Sequence, residues 1–393
     1  MPTQSAAEST QDLESTPGEV KEYQRLKLIA SITSLLVTLL FLAVMAFFAG
    51  PWLDQTLRPW TGNNRWVRLI ALGFVYAVAI ELLTLPISFW SGFVLEHRFH
   101  LSNQSLGAWL WRQAKAYLVG GLLGLVMLLG LYAIIWFTGS YWWLWATAGW
   151  LALTLLLGQL LPVVILPLFY KVTRLDDPSL LERLQSTAAG TGLKVEGIYR
   201  LHLSAETREA NAALAGLGRT RRVLLGDTLL DQFTPEGIEV VFAHEVGHHV
   251  HHHLPKMIAC SVLVATAGFW LADLILRHTA ESLHYPSGPM PAYADPAALP
   301  LFMLVLMVFG LLLSPAQNAL SRFFERQCDC YALIRTGLRD AYRSAFQKLA
   351  RLNKADPDPH PLVVWFFEDH PPIRERLRLA DTVQSRSGGE YLS

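Results

Sequence analysis

Charge is scarce in this sequence. Only 16% of the 393 residues are Asp, Glu, Lys or Arg, and 32 basic side chains cancel 32 acidic ones at pH 7. No long-range field would draw such a chain onto a polyanion, so no nucleic-acid partner is expected. Cysteine is scarcer still. Cys260 falls in an apolar run and Cys328 and Cys330 are two residues apart, which gives no disulfide framework and fits a reducing compartment for the polar parts. The start also lacks the basic residues and short apolar core of a secretory signal. Residues 1–27 are polar, contain Pro17-Gly18, and read as a disordered tail.

What is abundant is apolar surface. Hydrophobic residues make up 52% of the chain, and the mean hydropathy is +0.31. Six apolar stretches approach or exceed the roughly 20 residues that cross a bilayer core of about 30 Å: residues 28–50, 66–94, 116–137, 142–169, 257–276 and 299–313, with room for a seventh span. Lys and Arg accumulate on the cytoplasmic side of a membrane. Lys21, Arg25 and Lys27 precede the first span, and Arg98, Arg112 and Lys115 lie between the second and third, whereas residues 278–298 carry no Lys or Arg. Both termini and both large polar segments are therefore expected on the cytoplasmic face, although Arg58, Arg65, Arg68 and Arg277 pull the other way. The expected fold is mainly α, a multi-pass helical membrane protein with a cytoplasmic α+β zincin-like catalytic domain carrying a small antiparallel sheet.

That domain is split. Residues 28–169 form a four-span region, 170–256 the first catalytic part, 257–313 the fifth and sixth spans, and 314–393 the second catalytic part. Strands are expected near residues 195–203, 210–215 and 222–225, with Gly216-Leu217-Gly218 as a turn. Thr234-Pro235 reads as an N-cap followed by proline at the first helical position. The helix it opens carries His244-Glu245-Val246-Gly247-His248 and is expected to run straight into the fifth span.

H-E-x-x-H on a helix is a zinc and catalysis signature. Residues four apart share a face with Cβ atoms about 6 Å apart, so both imidazoles reach one metal and Glu245 stands beside it as general base. A third protein ligand is needed, and Glu325, Asp329, Cys328, Cys330 and the remaining histidines are candidates. Glu325 and Asp329 share a helix face, but they are also ordinary ion-pair partners for Arg322 and Arg326. Cys328 and Cys330 read more simply as small buried thiols. His249 and His251 to His253 read as an interfacial face. Glu81, Gln159 and Asp273, inside apolar stretches, are expected to face the interior, as a polar path or as satisfied pairs. Gly120 and Gly124 suggest close helix packing, and Pro162 and Pro167 a bend.

Several motifs in order carry a resemblance: Asn211-Ala212 ahead of Gly216-Leu217-Gly218, then Gly226-Asp227-Thr228-Leu229-Leu230, the H-E-x-x-H, Ser321-Arg322-Phe323-Phe324-Glu325 with Asp329, and His370-Pro371-Pro372 with Arg376. The chain resembles the integral-membrane zinc endopeptidases of the CAAX prenyl protease type, a family that also contains heat-shock-induced bacterial membrane proteases. The resemblance implies one Zn²⁺ per chain, held by His244, His248 and Glu325, with Asp329 supporting a ligand. It implies Glu245 as base and then acid, His370 as oxyanion stabiliser, Asn211 as a contact for substrate backbone, and a supporting place for Arg376. Ala213 stands where the family usually has an aromatic residue, and Cys328 where it has alanine.

The substrate implied is a peptide or protein that is membrane-associated or prenylated, cut in a bacterial inner membrane or a eukaryotic endoplasmic reticulum membrane. A protease that removes damaged membrane proteins is the alternative within the same chemistry. A transporter or scaffold with a structural zinc is the alternative outside it, but such sites are usually closed by four protein ligands.

Overall fold

The computed structural model describes residues 16–62, 64–193, 197–283, 285 and 291–383. The first helix, α1 (Pro17–Val44), begins inside the stretch expected to be a disordered tail. Thr16 and Glu19 form a reciprocal capping box, with Thr16 N–H donating to Glu19 Oε2 at 2.7 Å. Buried Tyr23 then donates to Glu96 Oε1 at 2.9 Å. Cap and anchor together hold residues 17–27 as helix; residues 1–15 of the expected tail lie outside the described residues.

A π turn joins α1 to α2 (Gly50–Thr61). The membrane region continues as α3 (Arg65–Phe89), α4 (Leu106–Thr138) and α5 (Trp142–Leu160). Among the described residues, five helical segments are long and apolar enough to cross a membrane: Pro17–Thr61, Arg65–Arg98, Leu106–Phe169, His253–Thr279 and Pro296–Thr336. The third doubles back at Gly139–Tyr141, where Gly139 takes φ +62°, so α4 and α5 pack as a hairpin. All six apolar stretches therefore fall on helices. Polar groups in this region are settled in two ways. Asp273 is buried and takes Arg277 Nε at 2.8 Å and Trp142 Nε1 at 2.5 Å, whereas Glu81 and Gln159 are exposed on their helices.

The catalytic part opens with β1 (Val172–Arg174) and α6 (Pro178–Ala188), followed by β2 (Gly197–Leu201), β3 (Ala212–Ala215) and β4 (Arg222–Gly226). The sheet is mixed, with order β1-β2-β4-β3, and not antiparallel throughout: β2 and β4 run parallel. The cause is the long connection after β2. Residues 202–211 reach across about two strand spacings of ~4.8 Å and set β3 at the edge, and β4 returns through Gly216 (φ +94°) into the vacant slot. As the inner strand, β4 reads Val223-Leu224-Leu225, buried on both faces.

Thr234 caps α7 (Pro235–Val250) as expected, its Oγ1 accepting from Gly237 N at 3.2 Å. The helix does not run on into the fifth span. It stops at His251, His252 turns left-handed (φ +54°), and α8 (His253–Thr279) starts in a new direction. By contrast α9 (Leu299–Thr336) is one helix of 38 residues that leaves the membrane region and enters the catalytic part without a break. Where α7 crosses α9, a Cβ on Gly247 would lie 3.0 Å from Cys328 Cα and 3.2 Å from its Sγ. The bare Gly247 and the small Cys328 let the two helices approach closely. The chain ends with α10 (Arg339–Leu352), α11 (Pro361–Phe367) and α12 (Ile373–Thr382).

Candidate active site

The crossing of α7 and α9 brings together residues 80 apart in sequence. His244 and His248, one turn apart on α7, present their Nε2 atoms to a single carboxylate on α9: His244 Nε2 lies 3.2 Å from Glu325 Oε2, and His248 Nε2 lies 3.3 Å from Glu325 Oε1. Glu325 is buried, and its Oε2 has no hydrogen-bond partner. A buried carboxylate with an unpartnered oxygen, set against two imidazole nitrogens, is costly for a protein left to itself, and two nitrogens with one carboxylate are the donor set that suits Zn²⁺. The residues present therefore fit the metal that the motif implies. His244, His248 and Cys328 also have ligand-type atoms within 4.8 Å of one another. Cys328 Sγ lies 3.5 Å from His253 Nδ1, which in turn faces His248 Nδ1, so the thiol stands on the side of the ring away from Glu325.

Behind the histidines, Asp329 is fully buried and accepts three hydrogen bonds: from His244 Nδ1 at 3.0 Å, Arg376 Nε at 2.9 Å and Arg376 Nη2 at 2.6 Å. Burial alone would lower the pKa of His244. The hydrogen bond to Asp329 and the facing Glu325 carboxylate outweigh it and push the group up to about 9. Glu245, next to His244 on α7, has its Oε2 accepting from Leu214 N at 3.1 Å. Leu214 lies on edge strand β3, and Asn211, just before that strand, has its carbonyl engaged by Gly226 N at 2.9 Å. Alternation along the strand turns the Ala212 and Leu214 amides outward.

His244, Glu245 and Glu325 line a cleft of about 430 Å³ bounded by Asn211 and Ala212, by Phe346 and Leu349 of α10, and by His370 and Arg376. His370 overhangs Glu325, with Nε2 at 3.6 Å from Oε2, and its Nδ1 is 2.7 Å from Asp369 Oδ1. The hydrogen bond to Asp369 outweighs partial burial and raises the His370 pKa above its ordinary value.

All eight residues singled out from the sequence thus belong to one site: His244, Glu245, His248 and Glu325 at its centre, Asp329 and Arg376 beneath, Asn211 and His370 along the cleft. Two further residues, Asp369 and His253, were missed, and Asp227 was noted only as part of a motif. Asp227 anchors the loop into β3 by accepting from Leu203 N, Ser204 N and Ser204 Oγ at 2.8, 2.9 and 2.6 Å. Its place directly after β4 was the available signal. Asp369 is adjacent to His370. His253, expected on an interfacial face, is 1% exposed and lies under His248. The other histidines separate, His249 pairing with Arg221 and His252 staying exposed.

Comparison with known proteins agrees with this arrangement. Residues 12–171 match the family described as CAAX prenyl protease N-terminal, five membrane helices, and residues 174–384 match Peptidase family M48. An uncharacterised metalloprotease, YhfN, of Bacillus subtilis (strain 168) is 29% identical over 81% of this chain and 74% of its own length. CAAX prenyl protease 1 of Saccharomyces cerevisiae is also 29% identical, over 81% of this chain and 73% of its own. The crystal structure of S. mikatae Ste24p superposes with a TM-score of 0.81 at 25% identity, covering 92% of this chain and 88% of that one. The chain belongs to Peptidase family M48, as an integral-membrane metalloprotease with the N-terminal membrane region of the CAAX prenyl proteases.

Proposed function

We propose that this protein is a zinc endopeptidase in which His244, His248 and Glu325 hold Zn²⁺ and whose substrates are membrane-associated polypeptides, C-terminal CAAX tails of prenylated proteins first among them. The observation that carries this reading is the convergence of both Nε2 atoms on the Glu325 carboxylate, with Glu245 one residue from His244 at the lip of the cleft. Glu325 is preferred to Cys328 as third ligand because it faces both Nε2 atoms and lines the cleft, whereas Cys328 is wholly buried against Gly247.

When bound, zinc supplies Lewis acidity, lowering the pKa of a water and polarising a carbonyl. The chain's own residues do the rest. The outward amides of β3 can receive an extended substrate as an added strand, and Asn211 stands where its side chain can hold the backbone. Glu245 takes the proton of the attacking water and passes it to the leaving amine. His370 Nε2, in the imidazolium form that the Asp369 carboxylate favours, can donate to the oxygen on which charge develops. Asp329 fixes His244 with Nδ1 protonated, leaving Nε2 free to ligate, and Arg376 balances the buried carboxylate.

The likeness to CAAX prenyl protease 1 supports the substrate class. The basic residues support a cytoplasmic site: Lys27 and Arg98 pair with Glu96 and Glu22, and Arg112 with Glu206 of the catalytic part, so they cluster at that end of the bundle. The membrane would be the inner membrane in a bacterium and that of the endoplasmic reticulum in a eukaryote. The test is cleavage of a prenylated peptide and its non-prenylated twin by purified protein in lipid, beside Glu245→Gln. Cleavage next to the lipidated Cys, absent with Glu245→Gln, is expected. Cutting of unfolded membrane proteins alone would instead support a quality-control protease.

A further inference from the structure

Beneath the motif histidines lies a buried imidazole with no part in the chemistry above. His253, the first residue of α8, packs flat on Phe324, with ring centroids 4.2 Å apart and planes 16° from parallel. Its Nε2 is 2.9 Å from Gln327 Oε1, and its Nδ1 is 3.1 Å from His248 Nδ1. Gln327 and Cys328 come from α9, so this contact ties the start of α8 to the helix that carries Glu325.

With His248 ligating through Nε2, which faces Glu325 Oε1, its one hydrogen is on Nδ1. That N–H meets His253 Nδ1, which accepts it, beside Cys328 Sγ at 3.5 Å. The hydrogen of His253 is then on Nε2, where the Gln327 carboxamide oxygen accepts it.

We propose that Gln327 and His253 are positioning residues that together set the tautomer of His248, presenting its Nε2 lone pair to the metal. His244 receives the same service from the Asp329 carboxylate. The two motif histidines are thus oriented by different chemistry, one by an anion and the other by a neutral two-residue relay. The inference rests on the reading of His244, His248 and Glu325 as metal ligands. The left-handed turn at His252 breaks the helix just before His253, which lies against His248.

The test measures Zn²⁺ affinity by chelator competition on the full-length protein in detergent, with the absorption spectrum of the Co²⁺ form and the melting temperature of the metal-free form alongside. Gln327→Glu keeps an acceptor opposite His253 and should bind zinc within about threefold of the parent. Gln327→Met and His253→Phe remove the relay at different points and should each weaken binding about 10–100-fold. Because one relay is lost either way, the double variant should be no weaker than the singles. Parent-like affinity in Gln327→Met, or losses that multiply in the double variant, would overturn the relay. Glu325→Gln separates the two levels. A parent that holds no zinc, or holds it as tightly with Glu325→Gln, refutes the ligand assignment and the relay with it. A tight parent, a weak Glu325→Gln and an unaffected Gln327→Met refute the relay alone.

Discussion

Asp329→Asn should damage this protein in two separable ways. The carboxylate is 0% exposed and accepts two hydrogen bonds from Arg376, itself 7% exposed, as well as one from His244. Asparagine keeps the shape but removes the charge, and its NH₂ group then faces either an Arg376 N–H or the His244 N–H. Breaking a buried ion pair from one side costs about 3–5 kcal/mol. At roughly 2–4 °C per kcal/mol for a unit of 150–250 residues, the melting temperature should fall by about 6–20 °C. Zinc affinity should fall about 10–100-fold because His244 loses the acceptor that fixes its tautomer. Adding Arg376→Met separates the effects. With the buried cation gone as well, much of the stability should return, since replacing both partners is often close to neutral, but the metal affinity should not. The assays are melting in detergent and chelator competition. A single variant that melts within 1 °C of the parent, or a double variant that recovers both properties, would refute this division of labour.

Other outcomes follow from single contacts. Gly247→Ala places a methyl group 3.0 Å from Cys328 Cα, which should cost about 1–3 kcal/mol by overpacking and spread α7 from α9; unchanged melting and zinc binding would contradict the close crossing. His252→Gly relieves a left-handed backbone and should stabilise by about 1 kcal/mol, seen as a rise in melting temperature; a fall would show that the His252 side chain matters. The raised pKa of His244, about 9, means that a proton competes with the metal, so apparent zinc affinity should drop about tenfold per pH unit between pH 8 and 7. The metal-free protein should respond in the opposite sense. The stability contributed by this group is full below about pH 6.5, the ordinary histidine value, and is lost as pH rises through about 9. A zinc affinity that does not change with pH would contradict the geometry around His244.

Much of this was legible in the sequence because it is local. The N-cap at Thr234, the one-turn spacing of His244 and His248, and the apolar length of α9 continuing to Glu325 all depend on neighbours within a few residues. What escaped depends on distant partners. The parallel pairing of β2 with β4 is settled by where residues 202–211 deliver β3, which no strand pattern reveals. The break at His252 occurs within a run of histidines that carries no Gly or Pro to mark it. His253 looks like its neighbours in sequence, and only Phe324 and Gln327, more than 70 residues away, make it different. The helix start at Pro17 was legible and overlooked: Thr16, Pro17 and Glu19 spell a capping box, but the polar composition around them reads as a tail.

The most direct measurement is zinc stoichiometry and peptide cleavage in the same preparations of the parent, Glu245→Gln and Glu325→Gln proteins. One zinc per chain is expected in the parent and in Glu245→Gln, with cleavage only in the parent, and neither metal nor cleavage in Glu325→Gln. Cleavage by Glu245→Gln at the parental rate, or a full complement of zinc in Glu325→Gln, would contradict the assignment of these residues.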